Sequence, residues 1–203
     1  MADDRWWRGF DAVVVDALAA GSRVLDVGCG DGGLVDELVA CGLDAFGIDP
    51  GAPQRERLIP SRVEEVGRIG SFDAVCAVMT LHHAELEPAL RAISRLLRPG
   101  GRVFVYEVAW EAYDERAASW LRAHDPSESD YSVSGWRLEH RDLHTGAALR
   151  SSISAALDLG SETARPYLAR MLGDRDLEEE EQAMIAAAAL PALGRWYRAA
   201  VRS

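Results

Sequence analysis

Lysine and asparagine are absent from the 203-residue chain, and all 22 basic residues are arginine. Any mechanism that needs either side chain is excluded, including a Tyr-x-x-x-Lys hydride-transfer site and an Asn metal ligand. Cysteine is scarce: Cys29, Cys41 and Cys76 are odd in number and show no CxxC spacing, which supports neither a disulfide framework nor a zinc site. Long apolar runs are missing too. None approaches the roughly 20 residues of a spanning helix, and no basic, apolar leader precedes Trp6, so a cytoplasmic protein without membrane contact is expected. Positive charge is in deficit, with 33 acidic residues giving a net charge of -11. Such a surface repels phosphate backbones, and nucleic acid is not an expected partner. Hydrophobic residues at 48% and charged residues at 27% are ordinary globular usage, and the length fits a single domain over 1–203.

The apolar positions then set out an alternating order. Phe10, Val13, Val14, Ala17 and Leu18 lie at helical spacing, and Gly21 stops them. Residues 23–27 form a short apolar run closed by Gly28, the pattern of a buried parallel strand. Leu34, Val35, Leu38 and Val39 mark a helix, and residues 45–49 a second strand ending in an acid. A strand over 72–79, a helix over 86–97 and a strand over 102–108 follow, with the turn signal Pro99-Gly100-Gly101 between the last two. Strands alternating with helices imply a parallel sheet. Beyond Trp110 the pattern suggests a helix over 111–123, a polar loop over 125–130, a strand over 135–143 and helices over 146–159 and 176–190. The second of these helices has Asp176 and Glu179 in capping-box spacing. The acidic run 178–181 fits a helix start, facing the positive end of the dipole. Residues 193–201 read as a last strand, at the sheet edge. Residues 10–108 would form the core and 146–190 an insertion that caps a substrate.

Gly28-Cys29-Gly30-Asp31-Gly32-Gly33 sits between strand and helix, where glycines let a backbone approach a ligand closely. Asp49 ends the next strand about 20 residues on, where an acid bonds an adenosine ribose. Together they indicate an adenosine-containing cofactor. Asp26 narrows the choice, because a carboxylate just before the first glycine suits an ammonium better than a pyrophosphate. S-adenosylmethionine carries one ammonium and no phosphate.

The stretch VLDVGCGDGG at 24–33 resembles the first motif of the class I S-adenosylmethionine-dependent methyltransferases. Gly47-Ile48-Asp49-Pro50, Phe72-Asp73-Ala74-Val75 and Leu97-Arg98-Pro99-Gly100-Gly101 resemble that family's later motifs, in the right order. The resemblance spans residues 10–108. It implies a Rossmann-like, doubly wound α/β fold, with a mostly parallel seven-stranded sheet, an antiparallel edge strand and a helical insertion near the C-terminus. It implies further that Gly28 and Gly30 underlie the methionine part, that Asp26 orients it, and that Asp49 holds the ribose hydroxyls. Cys29 and Pro50 fall inside the same motifs as cofactor contacts. Glu64, preceded by Val63, stands where the family often has an acid near the adenine amine. Ala77, Val78 and Met79 would pass beside the sulfonium, with S-adenosylhomocysteine as product.

Histidine is the usual general base near neutral pH for a hydroxyl or protonated amine nucleophile. His82 and His83 follow the fourth strand at the end where open α/β sheets place ligands, although the same stretch equally fits loop packing. His140 forms a second candidate cluster with His144 around Asp142. Trp7, Trp110 and Tyr167, with Trp6 and Trp136, are candidate walls of an apolar substrate pocket or ordinary core. Residue content disfavours several subclasses of the family: Val78-Met79-Thr80-Leu81 stands where adenine-N6 enzymes carry a Pro-Pro motif, and no Pro-Cys pair exists for cytosine-C5 chemistry. A metal-independent O-, N- or C-methyltransferase acting on a small-molecule acceptor is the expectation. The competing readings are a nicotinamide-dependent oxidoreductase, since Gly28, Gly30 and Gly33 also satisfy that fingerprint, and a catalytically silent cofactor-binding protein. No self-complementary surface is legible, and the oligomeric state stays open.

Overall fold

Alternation of side chains along the strands sorts the apolar residues onto two faces of one sheet. In the computed structural model, which describes residues 5–67, 69–127 and 130–202, β1 (Arg23–Val27) pairs in parallel with β2 (Asp44–Ile48) and with β4 (Phe72–Val78). Leu25 and Val27 of β1 join Val75 and Ala77 of β4 under α3 (Leu86–Leu96) and α6 (Gly146–Ala156). Val24 turns to the other face, with Ala74 and Cys76, under α1 (Phe10–Ala17) and α2 (Gly33–Ala40). A strand covered on both faces must be apolar almost throughout, which is why Asp26, on the same face as Val24, is conspicuous.

Seven strands complete the sheet in the order β3-β2-β1-β4-β5-β7-β6, where β3 is Leu58–Ile59, β5 Leu97–Val108, β6 Asp158–Arg165 and β7 Gly194–Ala200. Strands β1 to β5 are parallel; β7 runs antiparallel to both of its neighbours. The order reverses between β1 and β4. In open α/β sheets that switch point opens a crevice outside the carboxyl ends of the strands, and ligands bind there. A third apolar cluster stands over those ends. It is built from Val108, Tyr113, Trp120 and Leu121 of the β5–α4 region, Trp136 of α5 and Tyr167–Ala169, where α4 is Glu115–His124 and α5 is Val133–His140.

The C-terminal half departs from the sequence pattern in several places. Residues 135–143 are no strand: α5 runs through 135–140 and a turn follows, and the helix is started by Ser132, whose hydroxyl accepts the Gly135 N–H. The sixth strand is β6, inside the 146–190 segment expected to be a helical insertion. One side of it faces solvent, so it carries little apolar periodicity. Because β6 pairs along the outer side of β7, β7 lies one place in from the edge. The helix expected over 111–123 divides into a 3₁₀ turn, Trp110–Ala112, and α4, which Asp114 caps through the Arg116 and Ala117 amides. The capping box at Asp176 does not form. Asp176 is itself helical and makes no side-chain cap bond to α8 (Leu177–Ala186). Pro99-Gly100-Gly101 makes its turn as a bulge within β5, where pairing jumps from Phe72–Leu97 to Ala74–Arg102 and Gly100 takes φ 75°. Residues 128 and 129 of the expected polar loop lie outside the described residues.

One acid of the run 178–181 does more than face a helix dipole. Glu181 is fully buried and accepts the amides of Tyr167, Leu168 and Ala169 at 2.8–3.1 Å. It thereby satisfies the unpaired N–H groups at the start of the short helix α7 (Leu168–Met171) and holds that turn over the strand ends. Burial raises the Glu181 pKa, against the lowering effect of the three amides.

Candidate functional site

The crevice at the switch point is shaped first by glycine. Gly28 takes φ 76°, and a Cβ there would come within 2.1 Å of the Thr80 hydroxyl, so the turn after β4 packs directly onto the turn after β1. Gly30 takes φ 54° with nothing within 4 Å of where its Cβ would be. The first glycine makes the turn close; the second leaves space above it. Asp49, at the end of β2, ties the loop down by accepting the Gly30 amide at 3.3 Å and the Gly51 amide at 2.7 Å.

A cavity of about 330 Å³ opens here. Its floor is Asp26, Gly28, Cys29 and Gly30, and its walls include Val78 and Met79 from the end of β4. Trp6 and Trp7 cover it. Asp26 is 3% exposed, and among the described residues its Oδ1 has no hydrogen-bond partner. Burial, and secondarily the charge of Asp49, pushes its pKa up to about 8. A buried carboxylate without a donor is costly, so this atom asks for a cationic or N–H donor in the cavity. Met79 takes the left-handed conformation, φ 51°, with its amide bonded to the Tyr106 carbonyl at 2.8 Å. A non-glycine residue held there is backbone strain, and such strain clusters at ligand sites.

The candidate cofactor residues do not all meet in this cavity. Asp26, Gly28, Cys29, Gly30, Val78 and Met79 line it, and Asp49 braces it. Cys29 is no nucleophile: burial and then the charges of Asp26 and Asp49 push its thiol up to about 12. Ala77 is fully buried on the α3 side of the sheet, and Pro50 is exposed beyond Asp49. Val63 is a core residue, and Glu64 lines a separate cavity with Ser71 and Arg95 while pairing with Arg62 at 3.7 Å. Trp7 belongs with the glycine cavity. Its ring lies against Gly33 at the start of α2, and its Nε1 donates to Glu37 at 2.6 Å.

Beside Thr80 stands a group not singled out in the sequence. Glu107 of β5 is fully buried and accepts the amides of Thr80 at 2.9 Å and Leu81 at 2.6 Å, while its other oxygen meets Nδ1 of the buried His82 at 2.5 Å. The signal was a lone acid in the apolar run Val103–Val108, a strand buried on both faces. A carboxylate on Nδ1 makes that nitrogen the donor, so that in the neutral imidazole the lone pair sits on Nε2. The 3₁₀ turn Leu81–His83 is further clipped by His144, whose amide bonds the His82 carbonyl and whose Nε2 meets the Ala84 carbonyl. His83 is exposed and packs on His82 at 4.2 Å; burial and its histidine neighbour lower its pKa. His140 is held elsewhere, stacked 3.9 Å from Trp136 with Nδ1 on the Trp136 carbonyl.

Trp6, Trp110, Trp136 and Tyr167 meet in the third apolar cluster, where Met79 also packs. Tyr167 lies 5.2 Å from Trp6 and edge-on to Trp136, and both Trp6 and Met79 pack against the same cluster. Trp110 joins it through Nε1 on the His144 carbonyl and its own carbonyl on Trp136 Nε1.

The switch-point sheet and its glycine-floored cavity, with one orphaned carboxylate, define a Rossmann-like ligand-binding domain. The chain belongs to the methyltransferase-domain family, whose model matches residues 7–156. An uncharacterised methyltransferase of Mycobacterium tuberculosis is 35% identical over 51% of this chain and 45% of its own length. The ubiquinone biosynthesis O-methyltransferase of Xanthomonas oryzae is 33% identical over 50% of this chain and 55% of its own. The chain thus spans about half the length of these curated relatives. Among solved structures it is similar in fold to the 1,6-didemethyltoxoflavin-N1-methyltransferase of Burkholderia thailandensis, with S-adenosylhomocysteine bound. That likeness has a TM-score of 0.64 at 19% identity, over 99% of this chain and 80% of that one. The geranyl diphosphate C-methyltransferase of Streptomyces coelicolor is similar at TM-score 0.61 and 14% identity, over 96% and 76%.

Proposed function

We propose that the protein transfers a methyl group from S-adenosylmethionine to a hydroxyl or amine of a small-molecule acceptor. The observation that carries this reading is the unpartnered Asp26 Oδ1 in a glycine-floored cavity. An α-ammonium supplies the missing donor, whereas a pyrophosphate would set its charge against Asp26 and Asp49. In this reading Asp49 bonds the ribose hydroxyls, Gly28 and Gly30 permit close approach, and Trp6, Trp7, Val78 and Met79 wall the site. The bound donor supplies an electrophilic methyl; the protein supplies alignment, and positioning alone is worth about 7–11 kcal/mol.

His82 is the general base of this reading, taking the acceptor's proton at Nε2 while Glu107 holds Nδ1 and stabilises the imidazolium. Glu107 acts through His82 and is a positioning residue. Tyr167, Trp6 and Trp110 form the acceptor's aromatic wall, and the turn Tyr167–Ala169, held by Glu181, is the part of the 146–190 segment that caps it.

Calorimetric titration with S-adenosylhomocysteine and, separately, NADH tests the cofactor, using the wild type and Asp49→Ala. S-adenosylhomocysteine should bind the wild type and weaken in the variant. Binding of NADH instead, or of neither, overturns the reading.

A further inference from the structure

A second cavity, of about 780 Å³, lies behind the segment that covers the first. Arg8, Arg165, Arg170 and Arg175 line it, against two carboxylates, Glu178 and Glu179. Glu178 is already engaged by Arg8 and Arg170. In a chain of net charge -11 this is a local excess of positive charge.

Arg165 is the informative member. It is half-buried at the end of β6, with its guanidinium over the Trp196 ring at 4.0 Å. Its Nε is buried without a hydrogen bond, and among the described residues no carboxylate pairs with it. Burial, then Arg170 and Arg198, lower its pKa. Trp196, 8% exposed, also lines the cavity, and its Nε1 is buried without an acceptor among the described residues. The Gln182 amide on the opposite wall has an unpartnered Oε1, and half a turn of that amide presents its NH₂ instead. Donors buried without acceptors cost stability unless something fills the role. A guanidinium held over an aromatic ring keeps its planar fork of N–H donors, which can grip an oxyanion by paired bonds.

We infer that the cavity between α1, α8 and the start of β7 is a binding site for the oxyanion group of a small molecule, gripped by Arg165 with Arg175 and Trp196 Nε1. Arg170 gives it a mechanical link to the first cavity, because it donates to the main-chain carbonyls of Trp6 and Arg8, in the strap whose tryptophans cover that cavity.

The test is calorimetry at low ionic strength, where charge contacts are least screened, with inorganic phosphate and with citrate, on the wild type and Arg165→Gln. Arg175→Gln serves as a second variant, on an exposed side chain. Thermal unfolding and circular dichroism report the fold independently of either ligand. We expect one site in the wild type, at least tenfold weaker in Arg165→Gln and weakened in Arg175→Gln. The anion should raise the wild-type Tm but not that of Arg165→Gln, whose own Tm is not lowered. Tighter binding of phosphate assigns a compact inorganic anion, and tighter binding of citrate assigns an organic carboxylate. Failure of both anions to bind the wild type, or undiminished binding by folded Arg165→Gln, overturns the inference whether or not S-adenosylhomocysteine binds elsewhere.

Discussion

Replacing Asp26 by Asn removes a buried charge while keeping the side chain's shape, and its two effects run in opposite directions. In the folded protein without ligand, Asp26 titrates at about 8 rather than its ordinary 3.8. Between those values the unfolded chain has lost the proton that the folded chain retains, so stability falls as pH rises from about 4 to about 8 and is level above that. At pH 7 the gap from 3.8 is about 3 units, worth about 4 kcal/mol at 1.36 kcal/mol per unit. Asn has no such term, so Asp26→Asn should stabilise the unliganded protein by up to about 4 kcal/mol at pH 7, or about 10 °C in Tm for a chain of this length, and by almost nothing near pH 3.5. Ligand binding reverses the sign. An ammonium needs the carboxylate ionised, so the wild type should release about 0.9 proton per S-adenosylhomocysteine bound at pH 7, and its affinity should rise about fiftyfold from pH 6 to pH 8. Calorimetry in two buffers of different ionisation enthalpy reads the proton directly. Asp26→Asn should bind weakly with little pH dependence. A wild-type Kd that is flat over this range with no proton release, or a variant no more stable than wild type at pH 7, refutes the argument.

His82→Ala should lower kcat by about 10²- to 10⁴-fold with S-adenosylhomocysteine affinity unchanged. Glu107→Gln should act in the same direction through His82, sparing the donor KM, and steady-state kinetics with any turned-over acceptor separate the two parameters. The two glycines should part company. Gly28→Ala must displace Thr80 and adopt an unfavourable φ, costing about 2–5 kcal/mol of stability. Gly30→Ala meets no protein atom and should cost only about 1–2 kcal/mol while weakening S-adenosylhomocysteine at least tenfold. Chemical denaturation beside calorimetry distinguishes them.

The N-terminal half was legible because its information is local. Strands such as Arg23–Val27 and Phe72–Val78 are buried on both faces, so their apolar runs stand out, and the glycine turn and Asp49 sit at fixed spacings from them. The C-terminal half was not. Strand β6 lies at the edge with much of its surface in solvent, which erases the alternation that would announce it, and α5 is short, with its start set by the Ser132 cap rather than by apolar periodicity. Glu64 and Val63 sit in a loose loop whose path no periodicity dictates, and the fold carries them to a different cavity.

The residues alone determined the parallel half of the sheet, the turn at its switch point and the two acids, Asp26 and Asp49, that face it. Only the tertiary structure decided that the Asp26 Oδ1 has no donor among the described residues, that Trp7 packs on the start of α2, and that Glu107 meets Nδ1 of His82. It also gathered Arg8, Arg165, Arg170 and Trp196 around one cavity. The division has a single physical cause: periodicity and turn chemistry act between residues a few positions apart, whereas desolvation and the pairing of buried polar groups depend on which distant segments packing brings together.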